Sequence, residues 1–280
     1  MAIRFLHLRL RSVTAEGIYG VDIPFSVGLV LLRAENSMGK STCVQAILYA
    51  LGLERMLSPT TDIPLPPAML SRIERADGTE IDVTESWVEL ELANSSDSSI
   101  TVFRRAKTNQ NTKLITVYQG RHATKPSVNA PASDYFVHDG GAAVREMGFH
   151  KFLAEFIGWD LPLVTRFTGQ ECPLYIECIF PLLIVEQKHG WSGIQGNLPT
   201  FIGIREMGKR AIEFLLKLDA YDVAQSRQRL RQAEDFTKER WTQHAKKLEF
   251  QLRQTNARAH GVPAGIISGW GERDPRLHRA

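Results

Sequence analysis

The chain has 280 residues, 43% of them hydrophobic and 23% charged, enough ordinary globular material for about two domains and a sizeable core. That balance excludes a disordered, collagen-like or mini-protein chain. The net charge of +3 conceals an asymmetry: from Ser226 onward twelve Lys/Arg face six Asp/Glu, so the first 225 residues carry about −3 and the basic charge belongs to the C-terminal arm. The longest apolar run, Ile179 to Val185, is far short of the roughly 20 residues that a membrane-crossing helix needs, and the N-terminus has no signal-like apolar region. A cytoplasmic chain, nucleoid-associated or free, is expected, with no membrane partner. Cys43, Cys172 and Cys178 form an odd set without a C-x-x-C pair, which favours a reducing compartment and no structural zinc.

Ile3 to Leu10 alternates, and a second apolar run, Val27 to Leu32, follows Gly20 and Pro24; both are expected to be strands. After the second come Ala34 to Thr42, then Val44, Ile47, Leu48, Leu51 and Leu53 at helical spacing, interrupted at Gly52. The expected order is strand, loop, helix. Glu80 to Leu92, Ser99 to Arg105 and Lys113 to Gln119 alternate or are β-branched between Asn/Ser/Asp clusters and predict an antiparallel meander. His122 to Ser133 is rich in Pro, Ala and Ser and is expected to be a loop, and Val144 to Ile157 has a helical apolar face ending at Gly158. Tyr175 to Val185 is a further strand candidate, leading into a polar loop, Glu186 to Asn197. From Arg205 to Arg258 Gly and Pro almost vanish, and Trp241, Ala245, Leu248 and Leu252 fall at 4, 3, 4 spacing, predicting a long helix or the start of a coiled coil. Residues 261–280 are rich in Gly and Pro and are expected to be irregular. The expected divisions are 1–204, 205–260 and 261–280.

The chemistry concentrates in Ala34 to Thr42. A P-loop, G-x-x-x-x-G-K-S/T, turns successive backbone N–H groups inward at a helix N-terminus, where the dipole favours anions. Asn36, Ser37, Met38, Gly39, Lys40, Ser41 and Thr42 are the expected phosphate-binding residues. Lys40 would bridge the β- and γ-phosphates and Ser41 would hold Mg²⁺. Ala34 replaces the first glycine, which is tolerable only where the local φ is negative.

With an N-terminal strand, a Gly20-Val21-Asp22 turn, this loop, "ILYALG", a meander, a glutamine loop and a long charged helix, the sequence resembles the N-terminal half-head of the SMC and SbcC-type ATPases of chromosome maintenance. Asn36, Gly39, Lys40, Ser41 and Thr42 match the family loop, while Ala34 and Ser37 stand where it has glycines. The resemblance implies an α/β fold: a P-loop NTPase head lobe of ABC type with an antiparallel meander and the start of a long coiled-coil helix. It implies ATP and Mg²⁺ as cofactors, Gln187 as the glutamine that ligates Mg²⁺ and contacts the attacking water, and Lys40 as its catalytic companion. Gln170 is the competitor for the glutamine role. "PLLIVEQ" also reads as a Walker B strand with Glu186 as the acid.

In the family the signature motif, the Walker B acids and the switch histidine lie in a C-terminal half-head, for which no candidate is legible here. The resemblance therefore implies ATP binding, with hydrolysis depending on a second head or a separate C-terminal half-head, and coupling to DNA repair, chromosome maintenance or anti-phage defence. The helix-breaking tail suggests a truncated, split or frame-disrupted gene product. DNA and a nuclease or other accessory subunit are the further partners implied.

Other readings stand beside this one. A non-hydrolysing nucleotide-binding module acting through its long helix fits the same residues, and a P-loop kinase is disfavoured by that helix. Arg227, Arg229, Arg231, Lys238, Arg240, Lys246 and Lys247 suit DNA phosphates or a solvated helix face, since Glu234, Asp235, Glu239 and Glu249 are interleaved with them. His189 and Trp191 fit either a nucleotide contact or a self-packed turn. Cys172 and Cys178 read as buried small hydrophobes, and Phe149, Phe152 and Phe156 as core.

Overall fold

The alternating N-terminal residues form strand β1 (Ile3–Thr14), which turns back through Ala15 and Glu16 into β2 (Gly17–Pro24). These come from a computed structural model that describes residues 3–35, 39–57, 62–75, 77–138, 145–184, 198–260, 262–263 and 265. The expected turn at Gly20-Val21-Asp22 is instead part of β2. Gly20 is needed there for close approach, because a Cβ would lie 2.0 Å from the Leu10 carbonyl oxygen.

β1 also pairs antiparallel with β4 (Glu80–Asn94), and β5 (Ser99–Lys107), β6 (Leu114–Gln119) and β7 (Ala132–Phe136) continue as the meander. The sheet order is β2-β1-β4-β5-β6-β7, and β3 (Arg72–Glu74) pairs with β4 as the seventh strand. The chain is thus a mixed α/β protein built on a seven-stranded antiparallel sheet. β7 replaces part of the expected loop at His122 to Ser133; its polar, largely exposed residues carry no apolar alternation to announce it.

One face of the sheet is apolar: Leu8, Leu10, Val88, Leu90, Leu92, Ile100, Val102, Ile115 and Val117 are all buried. Helix α1 (Lys40–Ala50) closes over it with Ala46, Leu48 and Tyr49, α2 (Pro67–Leu70) with Met69, and α3 (Phe149–Ile157) with Phe149, Leu153 and Ile157. α3 begins at Phe149 rather than Val144, and Met147, expected on its apolar face, is exposed. Ser12 and Ser86 meet this layer through the Ala68 and Met69 carbonyls, so the polar side chains under α2 are satisfied.

Two expected strands do not form. Val27 to Leu32 lies outside any sheet and bends at Val27 and Gly28, the latter at φ +93°, with Val27, Leu29 and Leu31 exposed by 85%, 90% and 79%. An apolar run of this kind suits a strand covered on both faces and hydrogen-bonded at both edges, and no described strand lies beside it. Tyr175 to Val185 instead holds helix α4 (Ile176–Ile179) and a 3₁₀ turn, Phe180–Leu182. Ile176, Cys178, Ile179 and Phe180 are all buried, and a run buried on every side has no period to separate helix from strand. A short hairpin, β8 (Leu163–Thr165) with β9 (Glu171–Pro173), precedes it.

The expected helix from Arg205 to Arg258 is broken. α5 (Met207–Leu216) ends at Lys217 with φ +48°, and α6 (Asp219–Thr255) starts after the extended residue Leu218. The left-handed cap falls on a lysine, so no glycine marks the break. By contact density the chain divides at this point into Met1–Lys217 and Leu218–Ala280. α6 has 37 residues, about 55 Å of helix. No helix among the described residues is long and apolar enough to cross a membrane. Of the tail, all but 262–263 and 265 lies outside the described residues.

Gly52, just after α1, has φ +67°, and a Cβ there would lie 2.4 Å from Val137 Cγ2 and 3.0 Å from His150 Nε2. Gly52→Ala is expected to destabilise the chain by more than about 1 kcal/mol, read as a lower urea midpoint; an unchanged midpoint contradicts this packing.

Candidate functional site

The N-terminus of α1 is open. Gly39 caps it at φ +82°, ψ 11°, no side chain caps the helix, and its first turn has no acidic residue. The N–H groups of the first turn have no intrahelical acceptors and the dipole adds partial positive charge, so this end suits an anion. A Cβ on Gly39 would touch nothing closer than 3.8 Å, so glycine is required there by backbone conformation and not by space.

Lys40 closes the loop that leads to the helix. Its Nζ donates to the carbonyl oxygens of Ala34 at 2.7 Å and Glu35 at 2.6 Å. The ammonium therefore lies against residues 34–35 and ties them to the helix start. Ala34 is not among the residues with positive φ, which meets the condition for a methyl group where the motif has glycine. Ser41 is exposed and Thr42 half-buried in the first turn.

The other end of α1 is locked by buried charge. Arg104 on β5 is 2% exposed, and its Nη2 and Nη1 donate to Glu54 Oε1 at 2.8 Å and Oε2 at 3.1 Å. Nη1 also donates to the Tyr49 carbonyl at 2.6 Å and Nε to that of Thr112 at 3.0 Å, while the guanidinium lies 3.9 Å above the Tyr49 ring. His138 Nε2 approaches Glu54 Oε1 to 2.8 Å, close but poorly aligned for a hydrogen bond. Burial would raise the Glu54 carboxyl, but Arg104 and His138 outweigh it and hold it down at about 2. The Tyr49 hydroxyl, pushed up to about 12 by burial, donates to the Arg105 carbonyl.

Next to this pair, His150 on α3 lies 3.2 Å from the Leu51 carbonyl, with His138 edge-on at 6.3 Å. Burial lowers its affinity for a proton, His138 acts in the same direction, and Glu177 and Glu54 oppose. No three His, Cys, Asp or Glu side chains among the described residues converge as a metal site. Cys43, Cys172 and Cys178 are buried free thiols.

The structure therefore brings Gly39, Lys40, Ser41 and Thr42 together at one helix end. Asn36, Ser37, Met38, Gln187, Glu186, His189 and Trp191 lie outside the described residues. Gln170 occupies the exposed β8–β9 turn, where its carbonyl accepts from the Arg166 N–H at 2.8 Å. On α6, Lys238 and Arg253 pair with Glu234 and Glu249 one turn earlier, each at 2.6 Å. The Glu54–Arg104–His138 cluster escaped sequence reasoning, because its members are 34 to 84 residues apart and share no motif. No protein-family model matches the chain, and no curated protein sequence does either.

Two outcomes follow from the buried groups. Arg104→Met leaves the Glu54 carboxylate without its main partner and is expected to cost about 3–5 kcal/mol of stability, measured by urea unfolding. His150 prefers the neutral form when folded, so the unfolded chain gains protons first as pH falls below the ordinary value of 6.5. The melting temperature is expected to be level above pH 6.5 and to drop from there to pH 5, and His150→Gln is expected to flatten that drop. The Glu54 contribution is lost only at lower pH, between 4.5 and about 2. A wild-type melting temperature that is level from pH 8 to 5 contradicts the assignment.

Proposed function

We propose that this chain binds Mg-ATP at the start of α1, as the N-terminal half of an SMC/SbcC-like ATPase head. The observation that carries the proposal is the conjunction at Gly39 and Lys40. A left-handed glycine opens an uncapped helix, and the next residue is a lysine whose ammonium bonds the carbonyls of the loop before it. A helix N-cap alone has no use for that lysine. In the proposal Lys40 turns from the Ala34 and Glu35 carbonyls to the β- and γ-phosphates, the first-turn N–H groups bind phosphate oxygens, and the Ser41 hydroxyl is a Mg²⁺ ligand. Asn36, Ser37 and Met38 complete the loop by sequence, and Gln187 is proposed as the glutamine that ligates Mg²⁺ and contacts the attacking water.

The bare segment Val27 to Leu32 supports the half-head reading. Three large apolar side chains in the stretch leading to the loop are covered by nothing described, which fits a strand completed by a C-terminal half-head, in this protein or in a partner. α6 fits the outgoing arm of a coiled coil, with Trp241 and Ala245 half-buried and Leu248 and Leu252 continuing the 4, 3, 4 seam. Closure of two such heads on ATP and reopening on hydrolysis would couple the chain to DNA repair, chromosome maintenance or defence against foreign DNA. The same bare segment also fits a non-hydrolysing module that recruits a partner chain, and phosphate release separates the two.

Calorimetry is expected to give micromolar, Mg²⁺-dependent ATP binding with no phosphate release from the chain alone. Lys40→Ala is expected to weaken that binding at least tenfold while leaving the thermal melt unchanged, since among the described residues the side chain bonds the neighbouring Ala34 and Glu35 carbonyls alone. Equal affinity in wild type and variant rejects the site. Turnover by the chain alone rejects the half-head reading and leaves the nucleotide site intact.

A further inference from the structure

The sheet face opposite the core carries a continuous row of rings. Trp87 on β4, Phe103 on β5, Tyr118 on β6 and His122 just beyond β6 follow one another, each half-buried, with successive centroids 6.4, 6.5 and 4.2 Å apart. Tyr118 and His122 are stacked at 12°. The strand register places the first three on this face, since their neighbours Val88, Val102 and Val117 form the buried side. Helices α1, α2 and α3 pack on the other, apolar face.

Guanidinium groups border the rings. Arg11 and Arg105 stand opposite Trp87 on the two adjoining strands, and Arg105 also lies over the Phe103 ring at 5.3 Å. Arg121, next to His122, is 41% exposed. The carboxylates of the face are largely bonded already. Asp22 accepts from Arg9 and Arg11, Glu89 from Arg9 and Trp87, and buried Glu91 from Arg121 and Thr124. Asp134 accepts from Thr116. Among the described residues Arg105 pairs with the exposed Glu85 at 3.6 Å and has no side-chain hydrogen bond.

We propose that the Trp87–Phe103–Tyr118–His122 face is a binding surface for single-stranded nucleic acid, with unpaired bases stacking on the rings and Arg105 and Arg121 engaging the phosphates. An unpaired base would extend the Tyr118–His122 stack or take the place of Arg105 over Phe103, whereas a duplex keeps its bases stacked within itself. A cation held by stacking and by one distant carboxylate is free to meet a phosphate with little loss. A protein partner would leave Arg105 in need of an anion that an apolar ligand surface does not supply. The inference rests on the sheet and not on the nucleotide site, so Lys40→Ala is expected to leave it unchanged.

The test is fluorescence anisotropy of a labelled oligothymidylate of about 12 nucleotides and of a duplex of equal length, with the full chain, without ATP, at two salt concentrations. The single strand is expected to bind at least tenfold more tightly than the duplex, with affinity falling as salt rises. Phe103→Leu with Tyr118→Leu is expected to weaken it about tenfold or more, and Arg105→Gln to lower the salt slope by about one phosphate contact. Lys246→Gln with Lys247→Gln on α6 is expected to change nothing. If the double leucine variant fails to fold, Arg105→Gln decides. No salt-dependent binding, equal or tighter binding of the duplex, or a loss confined to the α6 variant overturns the proposal.

Discussion

Arg104 is a guanidinium buried to 2% exposure, and the arrangement of the sheet against its helices depends on keeping that charge paired. Its N–H donors form a rigid fork that must find acceptors away from water, and four hydrogen bonds join it to the Glu54 carboxylate, the Tyr49 carbonyl and the Thr112 carbonyl. The first two follow or end α1, while Arg104 itself belongs to β5. The ion pair therefore fixes the C-terminal end of α1 to the middle of the sheet in one register. A purely apolar contact would resist sliding less, because packing is tolerant of small shifts and a buried charge is not.

That anchoring has a consequence at the opposite end of the same helix. α1 has 11 residues, about 16 Å, so once its C-terminal end is fixed on the sheet, the direction of its N-terminus follows. Its uncapped N–H groups lie at the Gly39–Lys40 end. The requirements at the two ends are opposite: a charge paired away from water at Glu54 and Arg104, and an uncapped helix end at Gly39. Gly52 sits between α1 and Glu54, where only a residue without Cβ clears Val137 and His150.

Much of this was legible in the sequence, and the parts that were not share a cause. The meander strands β4, β5 and β6 announce themselves because one face of each is buried, which imposes a period; α1 was legible from its apolar residues after the loop, although Val44 among them is exposed. β7 has no buried residue and residues 175–184 have one exposed, Leu183, so neither carries a period, and their structure is decided by neighbours distant in sequence. The end of α5 at Lys217 has no glycine to mark it. Glu54, Arg104 and His138 are ordinary residue types at unremarkable positions until the sheet forms and brings them together. At the site, the motif pointed to Gly39, Lys40, Ser41 and Thr42, but not to the carbonyls that hold Lys40.

Those carbonyls connect the loop to the bare apolar segment. Ala34 and Glu35 lie one residue beyond Val27 to Leu32, so the lysine that would grip a phosphate now holds the end of the stretch that would pair with a partner strand. Two charge-assisted hydrogen bonds must be given up when Lys40 turns to an anion, which frees the backbone of residues 34–35 to realign. Pairing of the preceding residues into a sheet would reposition the same carbonyls from the other side. On the proposed reading, phosphate and partner strand thus act on one short stretch of backbone. Whatever factor strand pairing contributes to nucleotide affinity, the nucleotide must return to strand pairing, because the coupling free energy is one quantity.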